Sequence, residues 1–207
     1  MQLWLSAPSA PGHRISRCNG NSGNALADIL YGKVNPPGKL SVSYPNTVLN
    51  ESYCYNRSTE DDTTIAWPFG YGMSYTKFEY SNINITPETA TTEPTFRVTF
   101  EVKNTGTVEG DEVAQLYLSP TSQEQNIRPI QLQGFKRVTL KPGETKTVTL
   151  DIATEQLGYY ADKQWNIAPG TFTIKVGASS RDIRLAKDIT LTGNKVTKPL
   201  RDTYFAK

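Results

Sequence analysis

Glu60-Asp61-Asp62 is the densest cluster of side chains that could do chemistry, since neighbouring carboxylates serve acid/base work or bind calcium. The triplet lacks the alternating ligand order and the bidentate Glu of a calcium loop, and it reads as a solvated charge cluster. His13 is the single histidine and lies among Pro and Arg near the start, which leaves no His-dependent triad to assemble. Cys18 and Cys54 stand without a CxxC partner or a neighbouring His, so two free thiols are expected in place of a metal or redox site. Asn50-Glu51-Ser52, Asn56-Arg57-Ser58 and Asn84-Ile85-Thr86 match the N-glycosylation triplet, an unsurprising result in a chain rich in Asn, Ser and Thr. No nucleophile has a base at recognisable spacing, and no Gly-rich loop opens a helix. No residue is therefore assigned as catalytic, cofactor-binding or metal-ligating.

Residues 67–80, Trp-Pro-Phe-Gly-Tyr-Gly-Met-Ser-Tyr-Thr-Lys-Phe-Glu-Tyr, are different in kind. Six aromatics, two closely spaced glycines and a proline in fourteen residues are costly to leave on a bare surface. Either the segment is a connector packed between two domains, or its rings form a platform on which sugar rings stack.

The elements that would position such a segment follow from length and periodicity. The chain of 207 residues allows one large domain, or one domain and part of another. A formal charge of +2 gives no field for nucleic acid, and no run approaches the roughly 20 apolar residues of a membrane span, so neither partner is expected. The first ten residues also lack the charged start and apolar stretch of a signal peptide.

Ala25, Leu26, Ile29 and Leu30 share one face at helical spacing, with Ser22 or Asn24 to cap the start and Gly32 to close the end, which predicts a helix over 22–31. Pro36-Pro37-Gly38 turns the chain into 39–45, where Leu40, Val42 and Tyr44 alternate as in a strand. Residues 46–66 are polar and aperiodic, a long surface loop. From Thr95 onward the period is two: 96–102, 113–118, 132–140, 145–152, 170–178 and 182–191, with a seventh strand near 157–160. Asn104-Thr105-Gly106, Lys141-Pro142-Gly143-Glu144 and Ala168-Pro169-Gly170 supply the turns between them. That count and spacing predict a mainly β chain: a seven-stranded antiparallel sandwich of fibronectin type III or immunoglobulin kind. A helix-strand fragment of an α/β layer precedes it. The polar tail 193–207 is expected to be frayed or laid back on the body as a strap.

Three segments resemble a known family. Residues 23–40 (Gly-Asn-Ala-Leu-Ala-Asp-Ile-Leu-Tyr-Gly-Lys-Val-Asn-Pro-Pro-Gly-Lys-Leu), 68–76 (Pro-Phe-Gly-Tyr-Gly-Met-Ser-Tyr-Thr) and 132–138 (Leu-Gln-Gly-Phe-Lys-Arg-Val) occur in the order found in the C-terminal part of family 3 glycoside hydrolases, the β-glucosidase and β-xylosidase group. The resemblance implies that 23–45 ends the family's α/β sandwich domain, that 46–93 is a loop and aromatic connector, and that 94–192 is the fibronectin type III-like domain. Family members are retaining enzymes with an Asp nucleophile and a Glu acid/base. The resemblance places both carboxylates upstream of the segment represented here, so neither role passes to Glu60, Asp61 or Asp62.

Residues 1–22 depart from the family pattern, which reads an aromatic, then Tyr or His, Pro, Gly, a polar residue and Gly-Gly before the Gly-Asn-Ala element. Ile15-Ser16-Arg17-Cys18 can be encoded by bases that, read one position later, give Tyr-Pro-Gly-Ala. Residues 1–22 are accordingly expected to be a shifted-frame product, and the chain a remnant of a longer gene. The expected role is a non-catalytic, structural C-terminal portion whose partners are the upstream catalytic domains. A homodimer through the exposed connector is expected when those domains are missing, and β-linked oligosaccharide is a ligand only of the complete enzyme. The resemblance adds that such enzymes are often periplasmic or secreted. The competing reading is a free-standing carbohydrate- or protein-binding sandwich, discriminated by whether Trp67, Phe69, Tyr71 and Tyr75 lie exposed and coplanar or are packed away.

Overall fold

The structure, a computed structural model, describes residues 22–46, 65–91, 95–120 and 130–206. His13, Cys18, Cys54, the Glu60 to Asp62 triplet and the Asn50 and Asn56 triplets lie outside them.

Helix α1 spans Ser22–Leu30; Ala25, Leu26 and Ile29 are half-buried, whereas Leu30, expected on the same face, stands exposed. It closes at Gly32, whose φ of +74° allows its N–H to reach the Ile29 carbonyl at 2.9 Å. The strand expected over 39–45 contracts to the two residues of β1 (Tyr44–Pro45), paired with β2 (Ile65–Trp67). Its neighbours bond elsewhere: Leu40 N–H donates to the Tyr71 carbonyl, and Gly70 N–H donates to the Leu40 carbonyl, each at 2.8 Å.

The body is a two-layer sandwich. One sheet has the order β3 (Phe78–Thr86), β5 (Thr95–Asn104), β8 (Thr145–Ala153). The other runs β4 (Thr89–Thr91), β12 (Ile183–Thr192), β11 (Gly170–Gly177), β6 (Gly110–Pro120), β7 (Gln131–Leu140). Alternation builds the core: Phe96, Val98, Phe100 and Val102 of β5 point inward and meet Leu116, Leu118, Ile174 and Val176 of the facing sheet.

Two features differ from the sequence reading. The sandwich starts at Phe78, inside the stretch assigned to the connector, because β3 pairs antiparallel with β5 along its length. Its period-two signal is broken by an irregularity between Ser81 and Asn84, where Asn82 adopts a φ of +57°. Among the described residues the two sheets hold eight strands where seven were expected, and β4 lies parallel to β12. The expected strand at 157–160 becomes a 3-10 turn, Thr154–Leu157, followed by β9 (Tyr159–Ala161). With β10 (Gln164–Ile167) and β13 (Val196–Lys198), β9 forms a small third sheet in the order β13-β10-β9. The tail is thus a strap laid on the body.

Candidate functional site at the connector junction

The connector, residues 68–77, threads between segment 35–43 and the rim of the sandwich. Its glycines explain themselves by what lies beside them. Gly70 has a φ of +80°, and a Cβ there would collide with the Gln115 side chain. A Cβ on Gly72 would collide with the Gly38 carbonyl. The connector is therefore closely packed on both sides, against the Gln115 side chain of the sandwich on one and against the Gly38 backbone of the α/β fragment on the other.

Gln115 is the sandwich's grip on it. Buried on the outer face of β6, it donates from Nε2 to the Gly70 carbonyl at 3.1 Å and to the Ala178 carbonyl at 2.7 Å. Its Oε1 accepts from the Tyr117 hydroxyl at 2.5 Å. Ser180 N–H donates to the Phe69 carbonyl at 2.9 Å, so the connector is bonded to the end of β11 as well. Such a set of buried groups, each with a partner, fixes one geometry.

Asn104, fully buried, performs the same task on the other sheet. Its Nδ2 donates to the Val108 and Leu140 carbonyls, and its Oδ1 accepts from the Thr76 hydroxyl at 2.5 Å and the Gly106 N–H at 3.0 Å. Asn35 completes the latch from the fragment side. Its Nδ2 donates to the Glu109 carbonyl at 3.1 Å, while its Oδ1 accepts from the Ser74 hydroxyl and the Tyr75 N–H. The Tyr75 hydroxyl then reaches back to the Ile29 carbonyl of α1 at 2.6 Å.

Charge is neutralised pair by pair beneath the connector. Lys39 Nζ lies 2.9 Å from Glu112 Oε1, both side chains well buried, and this ion pair spans fragment and sandwich. Arg184 holds Asp182 with two bonds, at 3.1 and 2.7 Å, donates to the Phe78 carbonyl at 2.6 Å, and lies over the Tyr80 ring. The Arg184 bonds keep the Asp182 carboxyl below its ordinary range and raise Arg184 in turn. At Asp111 burial pushes the carboxyl up, but the Thr139 hydroxyl and Arg137 guanidinium outweigh it, and the net shift is downward. The Tyr80 hydroxyl is buried without a hydrogen-bond partner among the described residues. Burial, with the Glu112 charge beside it, pushes its pKa up.

These groups line a cleft of about 640 Å³ that includes Lys39, Tyr71, Met73, Glu112, Asp182 and Arg184. Each of its three carboxylates, Asp111, Glu112 and Asp182, is already held by a cation, an arrangement suited to holding segments together. The connector rings follow suit. Trp67, Phe69 and Tyr71 are half-buried, Trp67 packs edge-on to Tyr44 at 6.4 Å, and the exposed Tyr75 ring is tethered through its hydroxyl. No coplanar exposed row of the kind a sugar platform needs is formed by these four. Asn84 of the third glycosylation triplet is exposed on β3, away from the joint.

Sequence reasoning singled out the connector and missed its holders: Asn35, Lys39, Asn104, Glu112 and Gln115. A signal for Gln115 was present, a polar residue set in an otherwise apolar run from Val113 to Leu118.

Residues 2–75 match the glycosyl hydrolase family 3 C-terminal domain, and residues 112–180 match the fibronectin type III-like domain. The junction just described joins residues of both matches, Gly70 and Lys39 of the first to Gln115 and Glu112 of the second. The chain belongs to the C-terminal part of family 3 glycosyl hydrolases. This family 3 chain is 36% identical over 188 residues to a thermostable β-glucosidase B of Acetivibrio thermocellus, matching 81% of the chain and 25% of that enzyme. It is 39% identical over 183 residues to a β-xylosidase of Formosa agariphila, matching 83% of the chain and 25% of that enzyme. The solved β-glucosidase 3B of Thermotoga neapolitana in complex with α-D-glucose superposes with a TM-score of 0.73 at 28% identity, over 86% of the chain and 27% of the enzyme. The chain thus spans about a quarter of the length of these relatives. The family match begins at residue 2, within the 1–22 segment set apart above.

Proposed function

We propose that this family 3 chain is a non-catalytic scaffold that carries no nucleophile or acid/base of its own. Its helix-strand end docks the upstream part of a β-glucosidase-like enzyme acting, with retention, on terminal β-linked sugars. The supporting observation is a closed joint beside an open face. The connector is bonded on both sides, whereas Leu30, Tyr31, Val34 and Val42 of the fragment stand exposed, Tyr31 at 84%. A family 3 chain one quarter the length of its relatives has a ready occupant for that face: the rest of the α/β layer. Where that layer is absent, the same face pairs with a second copy.

Light scattering of the purified chain tests the face. The reading expects concentration-dependent dimers that dissociate in a Tyr31→Asp, Val42→Asp variant. A monodisperse monomer with exchange-protected amides before Tyr44 would contradict it.

A further inference from the structure

Where the Thr154–Leu157 turn and β10 lie, the tail crosses from one sheet to another. Val196, Thr197 and Lys198 of β13 pair in register with Ile167, Asn166 and Trp165 of β10, whose other edge is taken by β9. Beyond β13 three separate seats hold the chain. Asp202 N–H donates to Glu155 Oε1 at 2.5 Å, and the Glu155 carboxylate, buried in the 3-10 turn, also faces Lys198 Nζ at 3.7 Å. The Arg201 guanidinium lies between two rings, 5.2 Å from the Trp165 centroid and 4.2 Å from that of Tyr204. Ala206 N–H donates to the Gln133 carbonyl of β7 at 2.7 Å, and the Ala206 methyl fills the space above Gly134, 2.6 Å from where a Gly134 Cβ would stand.

We propose that residues Val196–Ala206 are a self-supplied strap whose seat is the β10 edge, Glu155, Trp165 and Gly134, and that its closure keeps that edge from pairing with a second copy of the chain. The reasoning rests on what the strap covers. Without β13, β10 is an edge strand with a row of open N–H and C=O groups, the feature that recruits another strand from a neighbouring molecule. The tail also supplies the Asp202 N–H and the Lys198 cation to the Glu155 carboxylate, two contacts that are lost together when it leaves and that the tail of another copy can restore. Gly134 is the gate residue. A side chain at this strand position fits the backbone of β7 but not the space beneath Ala206.

The test is Gly134→Val in the full chain, beside Ala206→Phe, which attacks the same contact from the tail and leaves the sandwich sequence untouched. Exchange of the Asp202 and Ala206 amides is followed by NMR, with the β5 amides as internal standard. Molecular mass is followed by light scattering against the unaltered chain at equal concentration. Both variants are expected to speed exchange of the Asp202 and Ala206 amides at least tenfold, to leave β5 exchange unchanged, and to raise the associated fraction above that of the unaltered chain. A strap that stays as protected as in the unaltered chain overturns the seat. A strap that is released with no rise in association overturns its covering role.

Discussion

Replacing Gly70 by alanine probes the junction at its tightest point, and a second glycine provides the measure. Gly70 and Gly143 have nearly the same backbone, φ +80° and +78°. Each loses roughly 1–2 kcal/mol when a Cβ is forced into that left-handed conformation. Beside Gly143 there is nothing within 4 Å of the new Cβ, whereas at Gly70 it meets the Gln115 amide. Moving Gln115 breaks some of its bonds to Gly70, Ala178 and Tyr117, and a stranded buried polar group costs about 1–3 kcal/mol. Gly70→Ala should therefore cost roughly 2–5 kcal/mol. At about 2–4 °C per kcal/mol for a chain of this size, its Tm falls by about 10 °C, and that of Gly143→Ala by about 5 °C. Thermal melts followed by tryptophan fluorescence and by far-UV circular dichroism make the comparison. Equal shifts for the two variants would show that the connector is not seated on Gln115 and would refute the account of the joint.

Other substitutions test other parts of the same body. Glu112→Gln removes the carboxylate that faces the buried Lys39 ammonium at 2.9 Å and should destabilise the chain by up to about 3–5 kcal/mol in urea unfolding, while a Lys39→Met, Glu112→Leu double variant should recover most of that loss. Asn104→Ala removes acceptor and donors from four partners at once, two of the bonds buried and two part-buried, and calorimetry should register a loss of about 2–4 kcal/mol. The pH dependence follows from Asp182 and Asp111, whose folded-state pKa values are depressed. Below about pH 4 the unfolded chain binds more protons at these sites than the folded one, so their contribution is present above that range and is lost as pH falls through the folded values. Urea midpoints taken from pH 6 to pH 2 should fall less steeply in Asp182→Asn than in the unaltered chain.

Much of the fold could be read from periodicity because most strands alternate cleanly. Phe96 to Val102 of β5 and the Lys141-Pro142-Gly143 turn are found where period two and turn chemistry place them. Helix α1 was legible from its apolar face and from Gly32. Strand β3 was not, because its aromatic start merges with the connector and the irregularity near Asn82 breaks the alternation. The strand at 39–45 was over-read, since its alternation records burial of Leu40 under the connector and not a ladder. The joint itself was half legible. Aromatic density marked the connector as something that must be covered, but Asn35, Asn104 and Gln115 act through tertiary hydrogen bonds that carry no periodic signature.

The central claim, that this chain is the non-catalytic C-terminal part of a family 3 enzyme, is tested most directly by turnover. Hydrolysis of p-nitrophenyl β-D-glucopyranoside and β-D-xylopyranoside is measured for the purified 207-residue chain and for the same chain joined to the upstream part of a family 3 enzyme. The account predicts release of p-nitrophenol by the joined protein only. Turnover by the chain alone would contradict it and would send the search for a carboxylate pair to the Glu60 to Asp62 segment.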